Sequence, residues 1–207
     1  MLKVVKNRCL VLYSCLFLTL AIMSSLKYHN LNTTFFDLGL FLNNFSMIAS
    51  GQWQSLFLSH VQPFGLFWSI PFSFLSIDWA ATIILIFQAA FLVLPVIGLY
   101  RYFGIISALA FSFYFPLWYN ALFDFHMDHL AVPILFGFFF FERKGKLPHA
   151  IFLAVLLALV KEPFALQTAF CGLYLCLARK KHLSGLLLIL FGVIYFTLAT
   201  QYIQHYF

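Results

Sequence analysis

Three short clusters hold most of the side chains in this chain that could carry out chemistry. Phe36-Asp37-Leu38-Gly39 offers a carboxylate. Asp124-Phe125-His126-Met127-Asp128-His129 puts two carboxylates and two imidazoles within six residues, and Lys161-Glu162-Pro163 sets an ammonium beside a carboxylate. A positioned carboxylate can exchange a proton, and charged groups held at membrane depth are functional by default. Asp37, Asp124, Lys161 and Glu162 are the candidate catalytic residues. Carboxylate and imidazole together also suit a divalent ion such as Mg, Mn or Zn, and two histidines three apart share one side of a helix. Asp124, His126, Asp128 and His129 form the candidate metal set on that ground. Plainer roles compete with each of these. Asp37 suits a helix N-cap, Lys161 and Glu162 suit an ion pair at a hairpin tip, and His60 reads as an isolated interfacial polar group.

The elements that must position these residues are membrane helices. Hydrophobic residues make up 64% of the 207 and charged residues only 9%, against about 45–50% and about 25% in soluble domains. The charges fall in small groups separated by the uncharged runs Cys9–Leu26, Leu38–Ile77, Trp79–Tyr100, Tyr102–Phe123 and His182–Phe207. A spanning helix needs about 20 apolar residues. The composition thus excludes a soluble enzyme, a nucleic-acid binder and a disordered chain. The net charge of +6 comes from basic residues at the ends of apolar runs. Cys9, Cys15, Cys171 and Cys176 lie in or beside those runs without metal-type spacing and read as free thiols. Lys3, Lys6 and Arg8 precede a first apolar run that lacks a small-residue cleavage site, so it is expected to stay as a first span.

Charge counting sets the expected topology. Phe64–Ile77 contains Pro71 and is short for a crossing. If it does not cross, the spans are Cys9–Leu26, Trp79–Tyr100, Phe103–Leu122, Leu130–Phe141, Leu147–Val160, Pro163–Ala178 and Leu183–Ala199. With the N-terminus inside, ten basic residues are then cytoplasmic, and only Lys27 and Lys161 are outside. If it crosses, the count becomes four inside and eight outside. The positive-inside rule selects seven spans, N-terminus cytoplasmic and C-terminus outside. Asp37, Asp124, Asp128, Glu162 and Asp78 then share the outer side. The expected fold is an all-α integral membrane protein, a single membrane domain over 1–207. Residues 1–26 hold the first span, 27–78 an outer loop with two interfacial or re-entrant helices, and 79–207 six further spans. The first loop helix runs from Phe36 to Ser50, with Leu38, Phe41, Leu42, Phe45 and Ile48 on one side and Gly51 ending it. From Leu147 to Ala178 the chain goes out and back in 32 residues, about 24 Å per leg against a hydrocarbon core of about 30 Å. Lys161, Glu162, Asp128 and His129 are therefore expected below the outer surface, with Asp37, Asp124 and Lys161 converging on one cavity there. Asn32-Thr33-Thr34 and Asn44-Phe45-Ser46 match the glycosylation acceptor pattern, which often arises by chance.

The order of these motifs resembles a bacterial membrane-protein family. FDLG follows the first span, then come a His-x-x-Pro-like stretch (His60, Gln62, Pro63), DFH before a short span, and Lys-Glu at the next hairpin. The family is designated domain of unknown function 2079, and it is similar to the GT-C class of polytopic glycosyltransferases. The resemblance implies a sugar drawn from a polyprenyl-phosphate donor at the outer face of the cell (inner) membrane. It also implies Asp37 as the first acidic position, Asp124 as the second with Asp128 assisting, and Lys161 and Glu162 as the Lys-Glu pair. It covers Phe36 to Pro163. Relatives are longer, so the chain resembles an N-terminal module, and a separate C-terminal membrane subunit is an expected partner; Pro163 stands where relatives often carry an acid. Two other functions stay open: an ion-coupled transporter in which Lys161, Glu162 and Asp128 form a relay, and an inactive fragment that needs that second half.

Overall fold

The computed structural model describes residues 2–32, 36–57 and 60–206, and every regular element among them is helical. Three helical stretches are long and apolar enough to cross a membrane: Arg8–His29, Ile77–Phe103 and His182–Tyr206. A fourth arises if Ile105–Ser112 and Phe115–Leu122, bent by 46°, count as one broken span. The helices at Leu147–Val160 and Phe164–Leu177 have 14 residues each, or about 21 Å. That is short of a full crossing, as the hairpin arithmetic anticipates.

The chain packs as two compact units. The first comprises residues 1–43 and 75–133. It contains α1 (Leu2–His29), α4 (Ile77–Val93), α5 (Pro95–Phe103), α6 (Ile105–Ser112) and α7 (Phe115–Leu122). Its core joins Leu16, Leu20 and Ala21 of α1 to Ala89 and Leu92 of α4, Val96 of α5, Ala108 of α6, and Leu117 and Ala121 of α7. The expected span Phe103–Leu122 is broken here, and the sequence gives the cause. Pro116, which has no N–H to give, opens α7 and leaves the Ser112 carbonyl without its helical donor. The Trp118 indole N–H donates to the freed Ser112 carbonyl at 2.6 Å, which is how a helix break is tolerated within apolar surroundings.

The second unit comprises residues 44–74 and 134–207. It contains α3 (Gly65–Ser69), most of α8 (Ala131–Arg143), α9 (Leu147–Val160), α10 (Phe164–Leu177), α11 (His182–Leu198) and α12 (Gln204–Tyr206). Phe138, Ala150, Ala154, Cys171, Leu175 and Leu188 form its core. Helices in lipid gain little from apolar burial and associate where small residues let backbones approach. Gly172 and Gly185 meet face to face: a Cβ on either would come within 2.5 Å of the other's carbonyl oxygen.

The boundary between units falls inside α2 (Phe36–Ala49) and near the start of α8. The stripe expected on α2 is present. Leu38, Leu42, Phe45 and Ile48 are buried against protein, and Phe41 is half-buried. Gly51, at φ +88, ends the helix as expected: its N–H donates to Ile48 O and that of Gln52 to Met47 O, both at 2.9 Å. These paired bonds are the left-handed glycine stop that satisfies terminal carbonyls. The segment 64–77 departs from a single second loop helix. Pro71 divides it into five-residue α3 and a 3-10 turn at Ile70–Ser73. Of the two glycosylation matches, Asn44-Phe45-Ser46 lies inside α2 with Phe45 buried, not in an accessible loop. Thr33 and Thr34 of the other lie outside the described residues.

Candidate functional site

In the first unit the structure joins two of the sequence motifs. Asp37 lies in the first turn of α2, where the positive end of a helix favours a carboxylate. Its Oδ2 is 3.2 Å from Nε2 of His126, and both side chains are nearly one-third exposed. FDLG and DFH thus meet as a partly exposed carboxylate–imidazole dyad. Aromatic rings hold the imidazole: Phe123 stacks on it at 5.9 Å, and Phe41 of α2 meets it edge-on at 5.8 Å.

Gln88, in the middle of α4, fixes the turn that carries this histidine. Its amide Oε1 accepts from the His126 backbone N–H at 3.1 Å, and its Nε2 donates to the Asp124 carbonyl at 3.2 Å. Gln88 is only 2% exposed, so both amide ends are spent on shaping the turn. Asp124 is itself buried and enters the arrangement through its backbone as well as its sequence position. Asp128 is half-buried in the 3-10 turn Met127–Leu130. His129 is buried, 6.0 Å from the His126 ring. Burial first, and the neighbouring His126 second, hold its pKa down at about 3, so it is neutral at physiological pH. Among the described residues no three His, Cys, Asp or Glu side chains gather as a metal centre requires. His126, a member of the candidate metal set, is instead paired with Asp37.

The first unit also contains a basic groove. Lys27, near the end of α1, donates from Nζ to the carbonyls of Leu122 and Phe123 at 2.6 and 2.8 Å, neutralising the negative end of α7. Together with Phe115, Trp118, Tyr119, Leu122 and Phe123 it lines a groove of about 300 Å³. Phe123 is shared between groove and dyad, one side chain belonging to both. Asp78, another expected outer acid, has its own role in α4, accepting from Tyr28 Oη at 3.0 Å.

The second unit joins the other two motifs in the same chemical form. Glu162 is 4% exposed. Its Oε1 is 2.6 Å from His60 Nδ1 and 3.0 Å from Gln204 Nε2, and its Oε2 accepts from the Val61 N–H at 2.9 Å. The Phe64 N–H donates to Leu159 O at 3.1 Å and ties the same loop to the end of α9. Lys161 is the half-buried residue that ends α9, in extended conformation. Hence His60 is no isolated polar group but the partner of the Lys-Glu motif. Asp37, Asp124, His126, Asp128 and His129 belong to the first unit, and Lys161 and Glu162 to the second. Gln88 and Gln204 carry no motif in the sequence, and Lys27 stands out there only as one of two basic residues expected outside. The visible signal was a lone amide or ammonium in or bordering a long apolar helix.

Residues 27–207 match the family model described as predicted membrane protein (DUF2079). The chain belongs to the DUF2079 family. No curated protein and no solved structure matches it. The family match begins at Lys27 and takes in all the motifs that form the two carboxylate–histidine pairs of this DUF2079 protein.

Proposed function

We propose that this protein is a GT-C-like membrane glycosyltransferase, or the N-terminal module of one, moving a sugar from a polyprenyl-phosphate donor at the outer face of the cell membrane. The observation that carries the reading is the Asp37–His126 pair, partly exposed and joining the two acidic motifs. In this reaction the bond from the anomeric carbon to the phosphate oxygen breaks, and a bond to the acceptor oxygen forms. Asp37 takes the acceptor proton, and polyprenyl phosphate leaves. His126, donating from Nε2 to Oδ2, would orient the carboxylate and leave Oδ1 for the hydroxyl. Positive charge for the leaving phosphate would come from Lys27 in its aromatic groove. A divalent ion held by Asp124 and its neighbours would supply the same charge.

The membrane arrangement that goes with this reading is one membrane domain of seven spans, N-terminus inside. The short α8, α9 and α10 would cross where the bilayer thins around them. The break at Pro71 supports it, because 64–77 folds into pieces too short to cross. A separate C-terminal membrane subunit would supply further spans. The test is turnover of a labelled polyprenyl-phosphate sugar by the purified protein in proteoliposomes. Asp37→Asn is expected to lower the rate by about 100-fold or more; equal wild-type and variant rates would overturn the assignment.

One observation favours the transporter reading: Glu162 is buried, whereas its partner His60 has a side chain 40% exposed, a path by which a proton can enter from water. Proton-coupled uptake into proteoliposomes that is lost in Glu162→Gln, with no sugar transfer, would select that reading instead.

A further inference from the structure

The chain's surplus positive charge is concentrated at one end of the second unit. The loop after α8 carries Arg143, Lys144 and Lys146, and the loop after α10 carries Arg179, Lys180 and Lys181. Only one acid, Glu142, accompanies these six basic residues, which leaves +5 here out of +6 for the whole chain. Insertion topology explains why basic residues lie at this end. It does not explain why two loops remote in sequence are locked together.

The lock is Glu142. It is buried at the end of α8 and accepts from Arg179 Nε of the second loop and from Tyr174 Oη of α10 at 3.2 Å. A buried carboxylate satisfied by two donors from one neighbouring hairpin fixes the loops side by side. Gly145, at φ +71, turns the first loop tightly: its N–H donates to Glu142 O and that of Lys146 to Phe141 O, each at 2.9 Å. The basic residues of both loops are exposed. Apolar side chains stand open directly beside them, with Leu177 and Leu183 each 74% exposed on either side of the second loop.

From this juxtaposition we infer that the end of the second unit bearing residues 143–146 and 179–181 is a binding site for anionic phospholipid. The cationic loops take the phosphate headgroups, and the open leucines receive the acyl chains. A fixed pair of cationic loops bordering an apolar face matches the two-part shape of a phospholipid; a nucleic acid or an acidic protein would leave the leucines without a partner. Each basic residue near a membrane surface contributes to such attraction, and the contributions add. The site is independent of the glycosyl-transfer reading and is tested without any turnover.

The experiment uses the full chain in nanodiscs of phosphatidylcholine with about one-third phosphatidylglycerol or cardiolipin. Lipids that stay bound after transfer to detergent are counted by native mass spectrometry. Wild type should retain anionic lipid over phosphatidylcholine by about tenfold or more. The quadruple variant K144Q/K146Q/K180Q/K181Q should lose that preference, and the same four sites changed to Arg should keep it. Glu142, Tyr174 and Arg179 stay untouched, and an unchanged melting temperature for the Gln variant shows that the lock has survived. A matched variant K3Q/K6Q/R8Q, at the N-terminus of the first unit, should retain the preference. Equal retention of neutral and anionic lipid by wild type, or undiminished preference in the quadruple Gln variant, would overturn the site.

Discussion

Removing the Glu162 carboxylate should release the loop that carries His60. Three hydrogen bonds converge on it, two of them from the loop itself: the Val61 N–H at 2.9 Å and His60 Nδ1 at 2.6 Å. Bonds to a charged group contribute about 1.5–3 kcal/mol each. The His60 bond lies at a side chain 40% exposed, where solvent screening reduces its value. The Val61 bond is buried and keeps most of its value. Glu162→Ala should therefore cost the closed loop about 3 kcal/mol, raising its open population about 150-fold. The remaining Phe64 N–H bond to Leu159 O keeps the far end of the loop attached, so the effect is local.

A cysteine at Gln62 can report this opening. Gln62 is buried, and its N–H donates to Leu56 O at 3.0 Å, so a thiol there reacts only when the loop opens. The native Cys15 is exposed and Cys176 half-buried, and both are changed to Ala beforehand. With Q62C in place, the labelling rate should rise about 100-fold or more in Glu162→Ala. In Glu162→Gln the rise should be about tenfold: the amide oxygen still serves Val61, while the amide nitrogen now faces the Gln204 donor. Rates within about threefold of the parent in both variants would show that the carboxylate does not hold the loop.

Four other outcomes follow from packing, titration and topology. A Cβ at Gly192 would overlap Ala165 O and lie 2.8 Å from Ala169 N; Gly192→Ala should therefore destabilise the α10–α11 pair by about 1–3 kcal/mol, read as a lower melting temperature. Gly39→Ala, with nothing within 4 Å, should be neutral or stabilising by up to about 1 kcal/mol. Because burial lowers His129 to about 3, its folded form favours the neutral ring. Its contribution is complete above the unfolded value of 6.5 and is lost as pH falls from there toward 3, at about 1.4 kcal/mol per pH unit. Melting temperatures measured between pH 7.5 and 5 should drop for wild type by the equivalent of about 2 kcal/mol more than for His129→Met, and parallel curves would refute the assignment. Cysteines introduced at Asn32 or Asn120 should label from outside with an impermeant thiol reagent and one at Gly145 should not; the reverse pattern would invert the expected orientation.

What the sequence made legible follows from the range of the forces involved. The ends of α9 coincide with the expected span Leu147–Val160, since apolar length and a glycine or proline at each boundary are local properties. The α2 stripe and its Gly51 stop are local in the same sense. The kink at Pro116 was written in the residue but hidden by continuous hydropathy, because Phe103–Leu122 reads as one apolar run whether or not it bends. The expected seven spans rest on a charge rule rather than on length, and among the described residues three helices, or four with the bent pair, meet the length condition.

The pairing within each unit depends on contacts across about 90–100 residues, which no periodicity encodes. Asp37 stands 89 residues from His126, and His60 stands 102 from Glu162. Yet both pairs follow one rule that the residue types alone could have suggested. In an apolar protein a buried or half-buried carboxylate needs a donor, and the donors available are few. Beyond lysines 27 and 161 they are chiefly histidines and amides, and the structure matches them: His126 to Asp37, His60 and Gln204 to Glu162, and Gln88 to the turn between Asp124 and His126. Gln88 is the sharpest case. In an uncharged run such as Trp79–Tyr100 a lone amide is costly unless both its ends are satisfied, and a backbone N–H and a backbone carbonyl satisfy them here. The DFH turn, the non-helical stretch between α7 and the 3-10 turn at Met127–Leu130, is the segment that meets that need.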